Sequence, residues 1–193
     1  TDGRYLEIGC GDAALTLAMA NRAAIAYGCD VTDALVDGAA APPNFRMILS
    51  DGVNIPVSAA SIDLAYSNQL MEHLHPDDAA AQLREVARVL RRGGRYLCRT
   101  PSRLTGPHDI SAYFGYEAQG FHLREYDYRS LRRLMLDAGF RRVSFVLGAR
   151  RARFPYWCAA AIENGLDRLA QPLRSKLARR LGRVLEITAL AER

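Results

Sequence analysis

Lysine is almost missing from this chain of 193 residues. Of 26 basic residues only Lys176 is a lysine, a bias that reads as genome composition rather than as arginine-specific chemistry. Long apolar runs are missing as well. The longest stretch without a charged residue, 52–62, has eleven residues, whereas a membrane helix needs about 20. No signal-peptide pattern opens the chain. The first residue is Thr1, and a strand-like run begins by Tyr5, so the sequence is expected to continue N-terminally. The four cysteines (Cys10, Cys29, Cys98 and Cys158) make no C-x-x-C pair, which suits a disulfide-free, cytoplasmic protein. No H-E-x-x-H motif occurs. The only close histidines, His73 and His75, have a spacing that does not place two ligands on one helix face, so no metal site is expected. Fixed-period repeats and low-complexity segments are also lacking.

What remains is ordinary for a globular domain: 49% hydrophobic and 24% charged residues. A chain of this length suits one domain that buries about 70% of its extended surface. Charge is unevenly placed. Residues 1–140 hold 14 basic and 17 acidic side chains, net −3, while residues 141–193 hold 12 and 4, net +8. The basic segment reads first as a solvated helical face, with peripheral contact to phosphate or acidic lipid as the alternative.

Short apolar runs at 5–8, 25–29, 46–49, 62–66, 95–100 and 143–147 read as strands, separated by segments of helical period. The segment 12–24 carries Leu15, Ala18, Met19 and Ala23 at helix spacing. A helix over 77–90 has Pro76 at its first position, Asp77 and Asp78 near its positive end, Arg88, Arg91 and Arg92 near its other end, and Gly93-Gly94 as its stop. Another helix is expected over 128–138, ended by Gly139. One or two basic helices fit 157–182, and 185–190 fits a last strand or a helical continuation. Phe154, Tyr156 and Trp157 are expected in the core. The alternation predicts an α/β, doubly wound, Rossmann-like sheet that is mostly parallel.

Residues 5–14 read Tyr-Leu-Glu-Ile-Gly-Cys-Gly-Asp-Ala-Ala, a strand entering a Gly-x-Gly turn with a helix directly behind. Glycines allow the tight turn and close approach of a ligand, and the helix start offers free N–H groups. Asp30, at the end of the second strand, can accept from ribose hydroxyls. Gly9-x-Gly11-x-x-Ala14 also satisfies the dinucleotide pattern, so two nucleotide cofactors fit these features. A carboxylate at the end of a buried strand needs a polar partner. An ammonium group would supply one for Glu7, whereas a pyrophosphate would be repelled by it.

The chain resembles the class I S-adenosylmethionine-dependent methyltransferases, in the branch of the methyltransferase-11 type. Glu7-Ile-Gly9-Cys10-Gly11 resembles their first motif, with Ala13 where a third glycine is usual. Asp51-Gly52 follows the third strand, and Ser61-Ile-Asp-Leu-Ala-Tyr-Ser67-Asn68 resembles the fourth-strand motif. Met71-Glu-His-Leu74 and Arg92-Gly-Gly-Arg-Tyr-Leu97 resemble the E-H-L and P-G-G signatures, with Arg92 in the proline position. Leu136-Asp-Ala-Gly-Phe140 resembles the usual approach to the sixth strand. The resemblance implies an antiparallel last strand and S-adenosylmethionine as cofactor. The contacts it implies are Glu7, Gly9, Cys10, Gly11, Asp30, Val31, Asp51, Gly52, Ser67 and Asn68. Cys10 is read as a packing residue rather than a nucleophile, and Glu72 and His73 as orienting or packing residues.

One domain over 1–193 is expected, with a cofactor-binding half at 1–100, a substrate loop or lid at 101–127 and a basic helical insertion at 150–184. The segment 101–127 is long for a connection and dense in aromatic and polar residues, which suits a small-molecule pocket. Parts of it resemble methyltransferases of bacterial glycan and secondary-metabolite clusters. His108 is the first candidate for general base and His122 the second; capping or packing of the loop is the other reading of both. A small-molecule, sugar or lipid-linked glycan acceptor is expected, by O-methylation, with no DNA. An N-P-P-Y motif is absent after strand four, and no Pro-Cys pair marks a cytosine nucleophile. A nicotinamide-dependent oxidoreductase and an inactive cofactor-binding domain are the competing readings.

Overall fold

The computed structural model describes residues 2–37, 41–147, 152–180 and 186–193. Among the described residues eight strands form one sheet: β1 (Arg4–Ile8), β2 (Ile25–Asp30), β3 (Phe45–Leu49), β4 (Ile62–Asn68), β5 (Leu90–Thr100), β6 (Arg142–Leu147), β7 (Ala152–Phe154) and β8 (Ile187–Glu192). Their spatial order is β3-β2-β1-β4-β5-β8-β6-β7. The pairs β1–β2, β1–β4, β2–β3 and β4–β5 are parallel, whereas β8 runs antiparallel to both β5 and β6, and β7 antiparallel to β6. The chain steps outward from β1 to β2 and β3, then returns to lay β4 on the other side of β1. That reversal opens a crevice at the carboxyl ends of β1 and β4, the usual ligand position in such sheets.

The α-helices described beside the sheet are α1 (Ala14–Ala20), α2 (Pro76–Val89), α3 (Tyr128–Asp137), α4 (Tyr156–Asp167) and α5 (Gln171–Arg180). In α2 the residues Ala79, Leu83, Val86 and Val89 are fully buried, one stripe of helical period against the sheet. Asp127 and Ser130 make a reciprocal capping box at the start of α3, and Gly139 closes it at φ 104°. The core gathers Leu6, Ile62, Leu83, Leu90, Tyr96, Leu131 and Phe145. Among the described residues no helix is long and apolar enough to cross a membrane.

Four expectations need correction. Helix α1 is shorter than 12–24: Ala13 takes a left-handed conformation at φ 57°, and Asn44 Nδ2 caps the carbonyls of Ala20 and Ala23 at 2.8 and 2.9 Å. Gly93-Gly94 does not stop α2, which ends at Val89. The pair instead forms a bulge inside β5, where the register shifts between Ile62 and Leu64. A Cβ on Gly94 would sit 2.8 Å from the carbonyl oxygen of Arg91, so only glycine fits there. Strand β7 is an addition, too short and too basic to show a period of two. Trp157 is 71% exposed, while Phe154 packs on Phe145 and Tyr128, and Tyr156 lies under the Arg132 guanidinium.

Ala13 is fully buried and left-handed, a conformation costing an L-residue about 1–2 kcal/mol. Ala13→Gly relieves that strain while losing a buried methyl of about 0.8 kcal/mol and freeing the unfolded chain by about 0.5–1 kcal/mol. We expect this variant to stay within about 1 kcal/mol of the parent in urea denaturation. Ala79→Gly, inside α2 with no strain to relieve, should cost about 1.5–2 kcal/mol. Equal losses at both positions would contradict the loop geometry.

Candidate active site

The site is built where the parallel strands end. At the end of β1 the chain turns through Gly9 (φ 71°) and Gly11 (φ 54°), both in the region that favours glycine. The N–H groups of Gly9 and Cys10 donate to Cys29 O at 2.8 and 3.2 Å, pinning the turn to β2. A Cβ on Gly9 would approach Leu70 Cδ1 to 3.1 Å, whereas one on Gly11 would meet nothing within 4 Å. Gly11 therefore presents bare backbone to open space, as a cofactor approaching the turn requires.

Glu7 is buried, and its Oε2 accepts from Thr16 Oγ1 at 2.5 Å. Burial pushes its carboxyl above the ordinary value, while the Thr16 hydroxyl and backbone N–H pull it back. Asp30 holds the turn from the other side: Oδ2 accepts from Gly11 N at 2.8 Å and Oδ1 from Val31 N at 2.7 Å. Cys10 points inward instead. Its thiol contacts Met47 Sδ at 3.8 Å, and burial raises it to about 12, which suits packing and not nucleophilic attack.

The ends of β2 and β3 meet beside this turn. Val31 is 65% exposed, and the Cβ position of Gly52 lies 3.8 Å from its Cγ1. An exposed branched side chain beside a bare glycine makes an apolar shelf that fits a flat ring. Asp51 accepts from Val53 N at 2.9 Å and Asn54 N at 2.7 Å, and these donors, with the Asn54 side chain, hold its carboxyl below the ordinary value. It braces the turn that carries Gly52, leaving little acceptor capacity for a ligand. Ser67 is buried with its hydroxyl on Tyr96 OH at 2.6 Å, and Asn68 is exposed at the end of β4.

A second cluster lies past β4 and β5. A single turn of 3-10 helix, Met71–His73, carries Glu72 and His73. The N–H groups of Leu123 and Arg124 donate to Glu72 O at 2.8 and 3.2 Å, docking the long connection onto this turn. Glu125 is the hub of that connection. Its Oε1 lies 2.8 Å from His122 Nδ1, and its Oε2 lies 3.3 Å from His108 Nδ1. Burial opposes the charge of Glu125, but hydrogen bonds from His108 and His122 outweigh it and hold the carboxyl below its ordinary value. His108 Nε2 also sits 2.9 Å from Thr105 Oγ1. Asp109 ties the loop together by accepting from the N–H groups of Ser111, Gly120 and His122. Tyr113, Phe114 and Phe121 remain exposed along it.

The structure thus brings the turn, Asp30, Val31 and Gly52 to one edge, and joins His108 to His122 through Glu125. Sequence reasoning missed Thr16, Glu125 and Thr100, whose hydroxyl donates to Glu72 Oε2 at 2.9 Å, as partners of the site. Thr16 had no motif to announce it. Glu125 stands three residues after His122, a one-turn spacing that could have marked a histidine–carboxylate pair.

Comparison with known proteins agrees with this arrangement. Residues 6–98 match the family described as Methyltransferase domain. A probable S-adenosylmethionine-dependent methyltransferase of Mycobacterium tuberculosis is 34% identical over 137 residues, covering 70% of this chain and 47% of that protein. A malonyl-[acyl-carrier protein] O-methyltransferase of Hahella chejuensis is 37% identical over 100 residues, covering 49% of this chain and 35% of that protein. The chain spans about half the length, or less, of these curated relatives. Among solved structures, an S-adenosylmethionine dependent methyltransferase from Mesorhizobium loti superposes with a TM-score of 0.65 at 18% identity, over 99% of this chain and 91% of that one. Motifs, topology and relatives agree, and the chain belongs to the class I S-adenosylmethionine-dependent methyltransferase family.

Proposed function

We propose that this chain carries out methyl transfer from S-adenosylmethionine to a hydroxyl of a small-molecule, sugar or lipid-linked glycan acceptor. The observation that carries the reading is the histidine pair His108 and His122 on the buried Glu125, docked through Glu72 beside the ends of β4 and β5. When bound, the cofactor supplies a methyl group on a positively charged sulfur, with a neutral leaving group.

The chain's own part is to hold, orient and deprotonate. Gly9 and Gly11 let the ligand reach backbone, Asp30 faces the place of a ribose, and Val31 with Gly52 offers an apolar shelf for the base. Glu7 and Thr16 keep negative charge at the turn, which suits an ammonium group and repels a pyrophosphate. On the acceptor side, Glu125 takes the Nδ1–H of His122, which leaves the other ring nitrogen free to accept a proton from a hydroxyl. His108 is held by the same carboxylate and is the second imidazole of the pair. The exposed Tyr113, Phe114 and Phe121 are placed to cover an acceptor and exclude water.

Oxygen as the acceptor atom draws support from the relative named for O-methylation of a malonyl-acyl-carrier protein. The net charge of +8 over residues 141–193 favours an acceptor on an anionic carrier. The test is a panel of hydroxylated glycans and small molecules, assayed for transfer of labelled methyl. The double variant His108→Ala/His122→Ala should lose about 100-fold or more in turnover, with affinity for S-adenosylhomocysteine nearly unchanged. Loss of that affinity would remove the histidines from the acceptor side. A wild-type protein that binds the cofactor product and methylates nothing on the panel would favour an inactive binding domain.

A further inference from the structure

The cluster past β4 holds more than a pair of bases. Glu72 is fully buried. Its Oε2 accepts from Thr100 Oγ1 at 2.9 Å, yet among the described residues its Oε1 has no hydrogen-bond partner. A buried carboxylate oxygen left unpaired is costly. Beside it stand two imidazoles whose Nδ1 atoms are already engaged. His73 Nδ1 lies 3.1 Å from the carbonyl oxygen of Phe121, which can only accept, and His122 Nδ1 lies 2.8 Å from Glu125 Oε1. Each contact places the ring proton on Nδ1 and the lone pair on Nε2. Carbonyl and carboxylate partners of this kind orient imidazoles that ligate metals. The rings meet edge to face at 5.0 Å between centroids, and Glu72, His73 and His122 each offer one donor atom within 4.8 Å of the other two.

We propose that Glu72, His73 and His122 bind a divalent first-row transition ion. Two neutral imidazoles and one carboxylate carry a single negative charge, which a dication more than offsets. Nitrogen donors favour zinc and its transition-series neighbours over magnesium or calcium, which take oxygen ligands. Bonds of about 2.0–2.1 Å place tetrahedral donors about 3.3 Å apart, so the trio closes around the ion as it enters. His73 is exposed on a single turn and can make that movement. No sequence motif announces these ligands: His73 stands near only His75 in the chain, with no C-x-x-C or H-E-x-x-H pattern. The partner ligand comes from a distant segment that Leu123 and Arg124 dock onto the Glu72 carbonyl.

The role of the ion rests on the proposed function: a hydroxyl bound to such an ion is more acidic, and His122 then serves as a ligand rather than as the base. Its presence can be tested apart from that reading. Metal-stripped protein is titrated calorimetrically with zinc(II) alone, and with cobalt(II) alone by visible absorption. One ion per chain is expected, with uptake weakened about tenfold or more in Glu72→Gln and in His73→Ala. His75→Ala, altering a neighbouring histidine outside the trio, should leave uptake unchanged. Because His73 is exposed, its variant keeps the test open even if Glu72→Gln fails to fold. No uptake, equal uptake in His73→Ala, equal loss in His75→Ala, or preference for magnesium would each overturn the proposal. Affinity of the same variants for S-adenosylhomocysteine without metal reports the donor pocket separately, so a failure there is not mistaken for a failure here.

Discussion

The buried Glu7 carboxylate and its contact with Thr16 are what the rest of the site depends on. The N-cap residue of α1, Ala13, has no side chain that can cap, and Asp12 Oδ1 accepts from the first N–H of the helix, that of Ala14, at 3.0 Å. A second acceptor comes from β1: Glu7 Oε2 takes the hydroxyl of Thr16 in the first turn of α1. A negative charge at a helix start is favoured by the unpaired N–H groups there. One contact therefore caps the helix, satisfies a buried acid and fixes the distance across which the glycine turn must span. That turn has no freedom left to collapse. Gly9 is pinned to Cys29 and wedged against Leu70, and Gly11 is held by Asp30.

Topology then decides which side chains share the crevice. Because β1 lies between β2 and β4, the turn after β1 faces the ends of both. The β2 and β3 side provides Asp30, Val31 and Gly52, a polar rim and an apolar shelf. The β4 and β5 side provides Glu72, Thr100 and the docked His122–Glu125 segment. The two groups of side chains thus stand on opposite sides of β1, with the glycine turn between them. The antiparallel β8, inserted between β5 and β6, extends the sheet beyond β5, and Glu186 just before it accepts from Arg99 and Gln69 at the ends of β5 and β4.

The glycine turn was legible in the sequence because its geometry is local. A strand, two glycines and an acid at the next strand's end leave a short pattern, and Glu7, Gly9, Gly11 and Asp30 all stand in it. Finer contacts were not legible. Asp51 and Ser67 occupy motif positions, but their oxygens are taken by the Val53–Asn54 turn and by Tyr96. A motif records a position, whereas hydrogen-bond competition is settled by neighbours brought in from elsewhere. The acceptor half depends on long-range docking, and so the Glu72–His122 and Glu125–His108 relations left no spacing to read. Gly93-Gly94 was misread because a glycine pair after a helix looks the same whether it ends the helix or bulges the following strand. The carbonyls that decide it, of Arg91 and Ile62, include one from another strand.

The central claim is that the Glu7–Gly11–Asp30 edge holds S-adenosylmethionine rather than a dinucleotide. Calorimetric titration of the protein with S-adenosylhomocysteine, and separately with NADH, tests it most directly. Micromolar binding of S-adenosylhomocysteine is predicted, weakened about tenfold or more by Asp30→Ala through loss of a charged hydrogen-bond acceptor, with no binding of NADH. Tight binding of NADH with no response to S-adenosylhomocysteine would contradict it.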